Sequence, residues 1–298
     1  MKWLIYGGNG WIGNKVCHIL LSLNECLIYG QARVDDEQSV ESEIQMNKPD
    51  RVISLIGRTS GIGYSSIDYL EQKDKLYENI RDNLYGPFVL VYLCNKYNIH
   101  FTYMGTGCIF NDYNENEPEN QISTDTIDKR IYSETDKPNF FGSSYSVVKG
   151  FTDRIMHFYD ASVLNIRIRM PISDDMDKKN FIVKLLGFKQ ICSIENSMTV
   201  LPELLPIMID MAHKKYTGTI NLTNPGTICH NRILELAREI LDPRINWTNF
   251  SLGDQRKILK AERSNNTLNT DKLLSLYSVT PIEDSIKTIL YKMKKLYY

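Results

Sequence analysis

The chain has 298 residues, of which 42% are hydrophobic and 24% are charged, and its formal net charge is −1. This composition is typical of a globular protein with one large domain or two closely associated ones, and it gives no support for a nucleic-acid partner. No apolar run approaches the roughly 20 residues of a membrane-spanning helix, so we expect no membrane contact. The six cysteines form no CxxC pair and no zinc-ligand spacing, which predicts reduced thiols, no metal site and a cytoplasmic location.

The predicted elements of the first half alternate between strands and helices. Strands are predicted at KWLIY, CLIYG, DRVISLIG, IHFTYMG and SVLNIRIRM. Helices are predicted at WIGNKVCHILLSL, QSVESEIQMNK and SYSVVKGFTDRIMHFY, and one long helix or two successive ones at 67–97. This alternation predicts an α/β fold with a Rossmann-like parallel sheet covered by helices on both faces. Ligands of such sheets bind beyond the carboxyl ends of the strands.

After Pro171 the pattern is less regular. The segments NFIVKLLGF, LPELLPIMIDMAHKK and NRILELAREIL predict helices, with short strands such as GTINLT between them. We therefore predict a Rossmann-like domain over residues 1–170. A smaller C-terminal substrate-binding lobe should cover 171–298 and interleave with the first domain. The polar stretch Asn111–Asn139 is predicted to be a long surface loop.

The segment YGGNGWIG predicts a dinucleotide site. It places Gly7, Gly10 and Gly13 directly after a strand and at the start of a helix. Glycines allow a tight turn there, and backbone N–H groups can then approach a pyrophosphate at the helix N-terminus. We expect Trp11 and Ile12, which lie within this turn, to border the cofactor as well.

The residues after the second strand favour NADPH over NADH. An NAD site usually has an acidic residue at this strand end, but this chain has Gly30 and Gln31, followed by Arg33. An arginine suits a 2′-phosphate, so residues 1–170 are predicted to form an NADP-binding Rossmann domain. Asp35 and Asp36 lie further along and are the residues that would serve NAD instead.

The segment YSVVK carries the candidate proton donor. Tyr145 and Lys149 are four residues apart, so they share one face of the predicted helix. In a dinucleotide-binding fold the lysine can bind the nicotinamide ribose and lower the pKa of the tyrosine, which then exchanges a proton with a carbonyl oxygen. Thr106, at the end of the fourth strand, is expected to donate a second hydrogen bond to that oxygen.

At this point the chain resembles a known family over essentially its whole length. It is similar to extended short-chain dehydrogenases/reductases of the dTDP-4-dehydrorhamnose reductase kind. The similarity is closer to the plant-type bifunctional UDP-4-keto-6-deoxy-D-glucose 3,5-epimerase/4-keto-reductases. The motifs that carry the resemblance are IYGGNGWIG, GTGCIF, YSVVK, RMPIS, NFIVK, NSMTVLPELLPI, NLTNPGTICHNRILE and ERSNN. One departure is LIGRTSGIGYSSIDY, which is slightly longer than the family's equivalent.

The resemblance implies two reactions at one site: epimerisation at C3 and C5, then NADPH-dependent reduction of the 4-keto group to give UDP-L-rhamnose. It assigns acid/base roles to Cys108, in GTGCIF, and to Lys184, in NFIVK. If extended backbone continues past Thr106, the Cys108 thiol faces the same sugar, because residues two apart project to one side. The alternative roles are a small buried side chain for Cys108 and a solvated helix lysine for Lys184.

The same resemblance suggests residues that border the cofactor and the sugar. Gly57 and Pro171, near the ends of the third and fifth strands, should border the cofactor. The residues expected to bind substrate are Arg169 and Asn180 near the sugar, Arg263 at the diphosphate, and Asn265 and Asn266 at hydroxyls or uracil. An arginine fork suits diphosphate oxygens.

Partners and alternatives follow from the same comparison. The expected substrate is a UDP-4-keto-6-deoxy sugar, supplied by a separate 4,6-dehydratase, and the expected assembly is a homodimer. One alternative is a reductase without epimerase activity, against which Cys108 argues. Another is a non-catalytic regulatory subunit on the same fold, against which Thr106, Tyr145 and Lys149 argue. The residues alone leave UDP and dTDP open as the nucleotide.

Overall fold

The structure, a computed structural model, describes residues 1–112 and 130–297. In chain order its strands are β1 Lys2–Tyr6, β2 Cys26–Tyr29, β3 Arg51–Ser54, β4 His100–Thr106, β5 Ile131–Tyr132, β6 Val163–Ile168, β7 Pro171–Ile172, β8 Gln190–Ile191, β9 Thr199–Val200, β10 Gly218–Asn221, β11 Thr248–Asn249 and β12 Thr267–Leu268. Its α-helices are α1 Trp11–Ser22, α2 Glu37–Asn47, α3 Leu76–Ile80, α4 Gly86–Lys96, α5 Ser144–His157, α6 Phe181–Leu186, α7 Leu201–His213, α8 His230–Ile240, α9 Leu252–Ile258, α10 Asp271–Leu274 and α11 Ile282–Tyr297.

A parallel sheet of six strands forms the centre of the molecule, in the order β10-β6-β4-β3-β1-β2. The strand order reverses between β1 and β3, which is where open α/β sheets bind their ligands. Strands β3, β4 and β6 are buried along their whole length, as expected for strands covered on both faces. The predicted Rossmann-like α/β fold is confirmed.

Helices cover both faces of this sheet. Helices α1 and α7 pack on one face, with Val16, Leu20 and Leu204 in the buried core. Helices α2, α4 and α5 pack on the other face, with Val40 and Leu90 in its core. The apolar faces of these helices are buried against the sheet. This packing fixes the position of the strand ends, where the site lies.

The C-terminal lobe has a core of its own, built from α6, α8 and α11 around buried residues such as Ile233 and Ile286. The division at residue 170 is not a clean boundary, because α7 and β10 lie beyond it and still belong to the central sheet layer. The predicted surface loop Asn111–Asn139 falls largely on residues 113–129, which lie outside the described residues.

The segment 67–97, expected to hold one or two helices, contains four helical pieces. A 3₁₀ turn at Ile67–Tyr69 is followed by α3, a π-helical turn at Arg81–Tyr85, and α4. A π turn inserts an extra residue into an α-helix and is frequent at functional sites. None of the helices in the described ranges is long and apolar enough to cross a membrane.

Candidate active site

The turn between β1 and α1 forms a backbone cradle at the carboxyl edge of the sheet. Gly7 has a φ of +82°, and a Cβ there would lie 3.0 Å from the carbonyl carbon of Leu55. A Cβ at Gly13 would lie 2.1 Å from the carbonyl oxygen of Gly7. Gly10 precedes α1, and among the described residues no side chain caps that helix. An uncapped helix N-terminus lined by glycine fits the pyrophosphate of a dinucleotide.

The other residues expected to border the cofactor lie along the same edge. Trp11 and Ile12 form the first turn of α1, and Trp11 Nε1 donates to Asp175 at 3.1 Å. Gly57 follows β3 and is exposed, and Pro171, at the start of β7, is half-buried. Their contact with a cofactor stays a prediction.

Arg33 lies in the loop that follows β2. Its side chain is 67% exposed, and its guanidinium donates to both carboxylate oxygens of Asp35, at 3.1 and 3.2 Å. The nearest buried acid, Glu43 of α2, accepts from the backbone N–H groups of Gln31 and Ala32 and from the Tyr6 hydroxyl. Its oxygens are thus already bonded to protein donors. Asp36 caps α2 by accepting from the Ser39 N–H, so Arg33 and Asp35 are the charged residues of the loop that are not used in this way.

Four of the five predicted catalytic residues come together where β4 ends against α5. Thr106 is the last residue of β4, and Tyr145 and Lys149 lie on the buried side of α5. Tyr145 packs with Tyr69 and Leu70, and the half-buried Cys108 lies against the same cluster. The site therefore holds one phenol, one hydroxyl, one thiol and one amine at the carboxyl end of a central strand.

The chain turns at Thr106 and does not stay extended through Cys108. The Cys108 N–H donates to the Thr106 side-chain oxygen at 3.1 Å, and the Thr106 hydroxyl donates to the Ile168 carbonyl at 3.4 Å. A threonine that bonds the N–H two residues on makes a local turn. The expected strand alternation is therefore wrong at Cys108, although the turn still brings the thiol beside Tyr145.

Burial dominates the protonation of the two central groups. Burial raises the pKa of Tyr145 and the neighbouring Cys108 raises it further, whereas the hydrogen bond with Thr106 lowers it. Burial lowers the pKa of Lys149 to about 7, against opposing effects of Asp153 and Cys108. The expected lowering of the Tyr145 pKa by Lys149 is absent here, because the lysine amine donates to Tyr103 and its own charge is disfavoured.

Lys184, the fifth predicted catalytic residue, extends from the C-terminal lobe to the segment after β3. It lies on α6, and its Nζ donates to the Ser65 carbonyl at 3.3 Å. Burial lowers the pKa of Lys184, and the positive charges of Lys179 and Arg263 lower it further. A lysine with a lowered pKa is a better proton acceptor near neutral pH than a solvated one.

Arg263 and Asn265 border a small cavity between the two parts of the molecule. The Arg263 guanidinium pairs with Asp68 and donates to the Ala261 carbonyl. Asn265 is buried, and its side chain bonds the Arg263 carbonyl and the amide of Asn196. Other residues that line the cavity are Asn111, Leu252, Gln255, Arg256, Ala261 and Glu262.

Arg169 was expected to contact substrate, and its placement corrects that expectation. It is 1% exposed. Its guanidinium donates to the Gly107 carbonyl at 3.0 Å, to the Ser264 hydroxyl at 2.9 Å and to the Asn196 side chain at 2.5 Å. Because these donors are committed to protein acceptors, Arg169 fixes the GTGCIF turn to the ERSNN segment.

The expectation that Asn180 and Asn266 bind substrate is corrected in the same way. Asn180 is fully buried, caps α6, and donates to the carbonyls of Ser173 and Asp175, both at 2.7 Å. Asn266 is fully buried and donates to the carbonyls of Gly107 and Phe110, at 2.9 and 2.8 Å. Both carboxamides hold the walls of the site together, and neither amide nitrogen is free to bind a sugar.

A buried asparagine pair that the sequence analysis missed connects the segment after β3 to α5, the helix that carries Tyr145 and Lys149. Asn83, in the π turn, accepts from the Arg58 N–H at 2.9 Å and donates to the Arg58 carbonyl at 2.9 Å and to Asn79 at 2.8 Å. Asn79 bonds Ser144 at the start of α5, and Thr152 donates to the Asn83 carbonyl. Two asparagines four residues apart, which lie on one face of a predicted helix, were the available signal.

Comparison with known proteins identifies the family. Residues 3–170 match the model of the NAD dependent epimerase/dehydratase family. The crystal structure of the L780 UDP-rhamnose synthase from Acanthamoeba polyphaga mimivirus is 56% identical, superposes with a TM-score of 0.91, and covers 98% of this chain and 99% of its own. In the part of the chain that is described, no group of three or more His, Cys, Asp or Glu is placed to hold a metal ion.

Two Arabidopsis thaliana proteins extend the comparison. A bifunctional dTDP-4-dehydrorhamnose 3,5-epimerase/dTDP-4-dehydrorhamnose reductase is 36% identical over 99% of this chain and 94% of its own length. The trifunctional rhamnose synthase RHM1 is 38% identical over 92% of this chain but only 39% of its own length. The chain therefore belongs to the NAD dependent epimerase/dehydratase family, in the branch that contains the UDP-rhamnose synthase L780 and these plant epimerase/reductases.

Proposed function

We propose that this protein epimerises UDP-4-keto-6-deoxy-D-glucose at C3 and C5 and then reduces the 4-keto group to give UDP-L-rhamnose. The observation that carries the proposal is the convergence of Tyr145, Thr106 and Cys108 on one point at the end of β4, with Lys149 buried beneath them. The names of the L780 and plant relatives, which include rhamnose synthase and epimerase/reductase, support it.

The epimerisation needs a stabilised enolate. The 4-keto group acidifies the protons on C3 and C5, and removing either proton places negative charge on O4. The Tyr145 phenol, kept protonated by its raised pKa, and the Thr106 hydroxyl are the donors that would stabilise that charge. The Cys108 thiol, beside Tyr145, would move the proton at carbon on that side of the ring.

Inversion of a carbon centre requires proton return on the opposite face. Lys184 approaches from α6 in the other part of the molecule, and burial and nearby cations lower its pKa. We assign it as the second acid/base group. The contact that supports this assignment is the bond from Lys184 to the Ser65 carbonyl, which joins α6 to the segment after β3.

The reduction uses the same donors. When bound, NADPH would supply the hydride to C4, and the glycine turn at Gly7–Gly13 has the open backbone that its pyrophosphate requires. Charge then develops on O4 for a second time, and Tyr145 delivers the proton. Arg263 is the assigned diphosphate contact, since its guanidinium is partly exposed at the cavity edge.

The proposal includes two partners. The chain should receive its 4-keto substrate from a separate 4,6-dehydratase, because the proposed reactions consume the 4-keto group and do not form it. It should also form a homodimer through α4 and α5, which pack side by side. Their outward faces and the adjoining α3 expose the aromatic side chains Tyr77, Phe88, Tyr92, Phe151 and Phe158. Light scattering of Phe88→Ser and Phe151→Ser variants tests the dimer, which should shift toward monomer.

Product analysis tests the function. The protein is incubated with UDP-4-keto-6-deoxy-D-glucose and NADPH, and the 6-deoxyhexose is identified by NMR. UDP-L-rhamnose is the expected product. A product with unchanged C3 and C5 would show a reductase without epimerase activity, and absence of turnover would favour the non-catalytic alternative.

A further inference from the structure

The loop after β2 is fixed in place by two buried contacts. The Glu43 carboxylate, 8% exposed, accepts from Gln31 N–H at 2.7 Å and from Ala32 N–H at 3.2 Å. On the other side Val34 packs so closely on the start of α4 that a Cβ at Gly86 would lie 2.5 Å from it. Residue 33 and its neighbours thus have a set position relative to the helical segment that contains the π turn.

This loop begins at the same sheet edge as the glycine turn. Strands β1 and β2 pair in parallel with Ile5 opposite Tyr29, and the Gly30 N–H donates to the Ile5 carbonyl at 2.9 Å. In a dinucleotide site of this topology the end of the second strand faces the adenosine ribose. Glu43 cannot serve those hydroxyls, because its oxygens are bonded to backbone donors and to Tyr6.

Two arginines from different elements flank one carboxylate at this point. Arg33 pairs with Asp35 at 3.0 Å, and Arg81 Nε, from the π turn, lies 4.0 Å from the other Asp35 oxygen. Arg81 is also held by Asp82, at 2.7 Å. The π turn matters here because it sets the direction in which residue 81 projects from the helix. A guanidinium on each side of an anion is the arrangement that binds phosphate.

We propose that Arg81 acts with Arg33 to bind the 2′-phosphate of NADPH, and that Asp35 occupies the phosphate position in the free protein. This inference rests on the proposed function, because it concerns the cofactor of the same reaction. It assigns to Asp35 a role opposite to that of an acid in an NAD site: its carboxylate competes with the 2′-phosphate and leaves when the phosphate binds.

The test is calorimetric titration with 2′,5′-ADP and with 5′-ADP, neither of which needs catalysis. Arg81→Met should weaken 2′,5′-ADP binding about tenfold or more, since charge-assisted phosphate bonds have about that effect. It should change 5′-ADP binding less than about twofold. Asp35→Asn should strengthen 2′,5′-ADP binding several-fold. Arg244→Met is the control for loss of one positive charge, because Arg244 pairs with Asp242 in the C-terminal lobe, away from this loop.

Unchanged 2′,5′-ADP affinity in Arg81→Met, or weaker binding in Asp35→Asn, would overturn the inference. Arg81→Lys keeps the charge and should retain part of the affinity, which separates lost recognition from a disturbed helix. The outcome is independent of the proposed reaction. If UDP-L-rhamnose forms but 2′,5′-ADP binds no better than 5′-ADP, only this inference fails. If 2′,5′-ADP binds selectively but no 6-deoxyhexose forms, only the proposed function fails.

Discussion

Lys149 Nζ donates a hydrogen bond to the Tyr103 hydroxyl and lies 4.5 Å from the centre of the Tyr103 ring. The amine of the catalytic helix is therefore held by β4, below the site, in a buried position. Tyr103 is itself buried, and burial raises the pKa of its phenol, so it remains a neutral partner. The fold thus buries Lys149 in a position that disfavours its charged form, below the place proposed for the O4 atom of the substrate.

This burial predicts a pH-dependent stability. The pKa of Lys149 falls from 10.5 to about 7 on folding. Between those values the unfolded chain carries a proton that the folded chain does not, so the free energy of unfolding should rise with pH. Relative to Lys149→Met, the wild type should gain up to about 1.4 kcal/mol per pH unit between about pH 7 and 9. Urea unfolding of both cofactor-free proteins measures it, and parallel curves would contradict the buried neutral amine.

Tyr145→Phe should nearly abolish reduction while the fold survives. The phenol is the assigned proton donor to O4, and loss of one such donor typically costs about 10² to 10⁴ in rate. Reduction of the 4-keto substrate is followed by NADPH oxidation, and thermal unfolding checks the fold. Tyr159→Phe, just beyond the same helix, is the control. Near-wild-type reduction by Tyr145→Phe would remove this residue from the mechanism.

Cofactor preference should follow Arg33. The wild type should use NADPH with a higher kcat/KM than NADH, and Arg33→Ala should narrow the difference. The substitution removes the guanidinium that would bind the 2′-phosphate of NADPH. Glu43 cannot favour NADH by binding the ribose hydroxyls, because its carboxylate already accepts from Gln31 and Ala32. Steady-state kinetics with both cofactors measures this preference, and a clear wild-type preference for NADH would contradict the prediction.

Arg169→Met should destabilise the protein, whereas Arg263→Met should mainly raise KM. Loss of the buried Arg169 guanidinium removes one donor from each of the Gly107 carbonyl, the Ser264 carbonyl and the Asn196 side chain, at a cost of about 1–3 kcal/mol. Arg263 is partly exposed and pairs with Asp68. Denaturant unfolding and kinetics on both variants separate the two roles. An unchanged unfolding midpoint for Arg169→Met would mean that Arg169 is not structural.

The sequence predicted the sheet, the glycine turn and the meeting of Thr106 with Tyr145, because these depend on local pattern and on the rule that parallel strands end at one edge. It did not predict that Arg169, Asn180 and Asn266 would be buried and bonded to protein groups. A motif gives the position of a side chain along the chain, but burial and hydrogen-bond partners such as Asn196 come from distant segments. The π turn was also beyond sequence reasoning, since helical periodicity does not distinguish a single inserted residue.

The central claim is that one site both epimerises and reduces, with Cys108 and Lys184 needed only for the first reaction. Cys108→Ala and Lys184→Ala should each slow proton exchange at C3 or C5. Both should still oxidise NADPH when given the already epimerised 4-keto-L-rhamnose nucleotide. Two variants serve as matched controls. Cys229→Ala removes another half-buried thiol, and Lys189→Ala removes an exposed lysine five residues after Lys184.

The most direct measurement is deuterium uptake from D₂O into UDP-4-keto-6-deoxy-D-glucose, followed by NMR without NADPH. Without the cofactor the ketone persists, so exchange at C3 and C5 reports the epimerase step alone. The wild type, Cys229→Ala and Lys189→Ala should exchange both protons, and Cys108→Ala should lose about 10² or more in rate at one carbon at least. Full exchange at both carbons by Cys108→Ala would show that the thiol in GTGCIF only fills space.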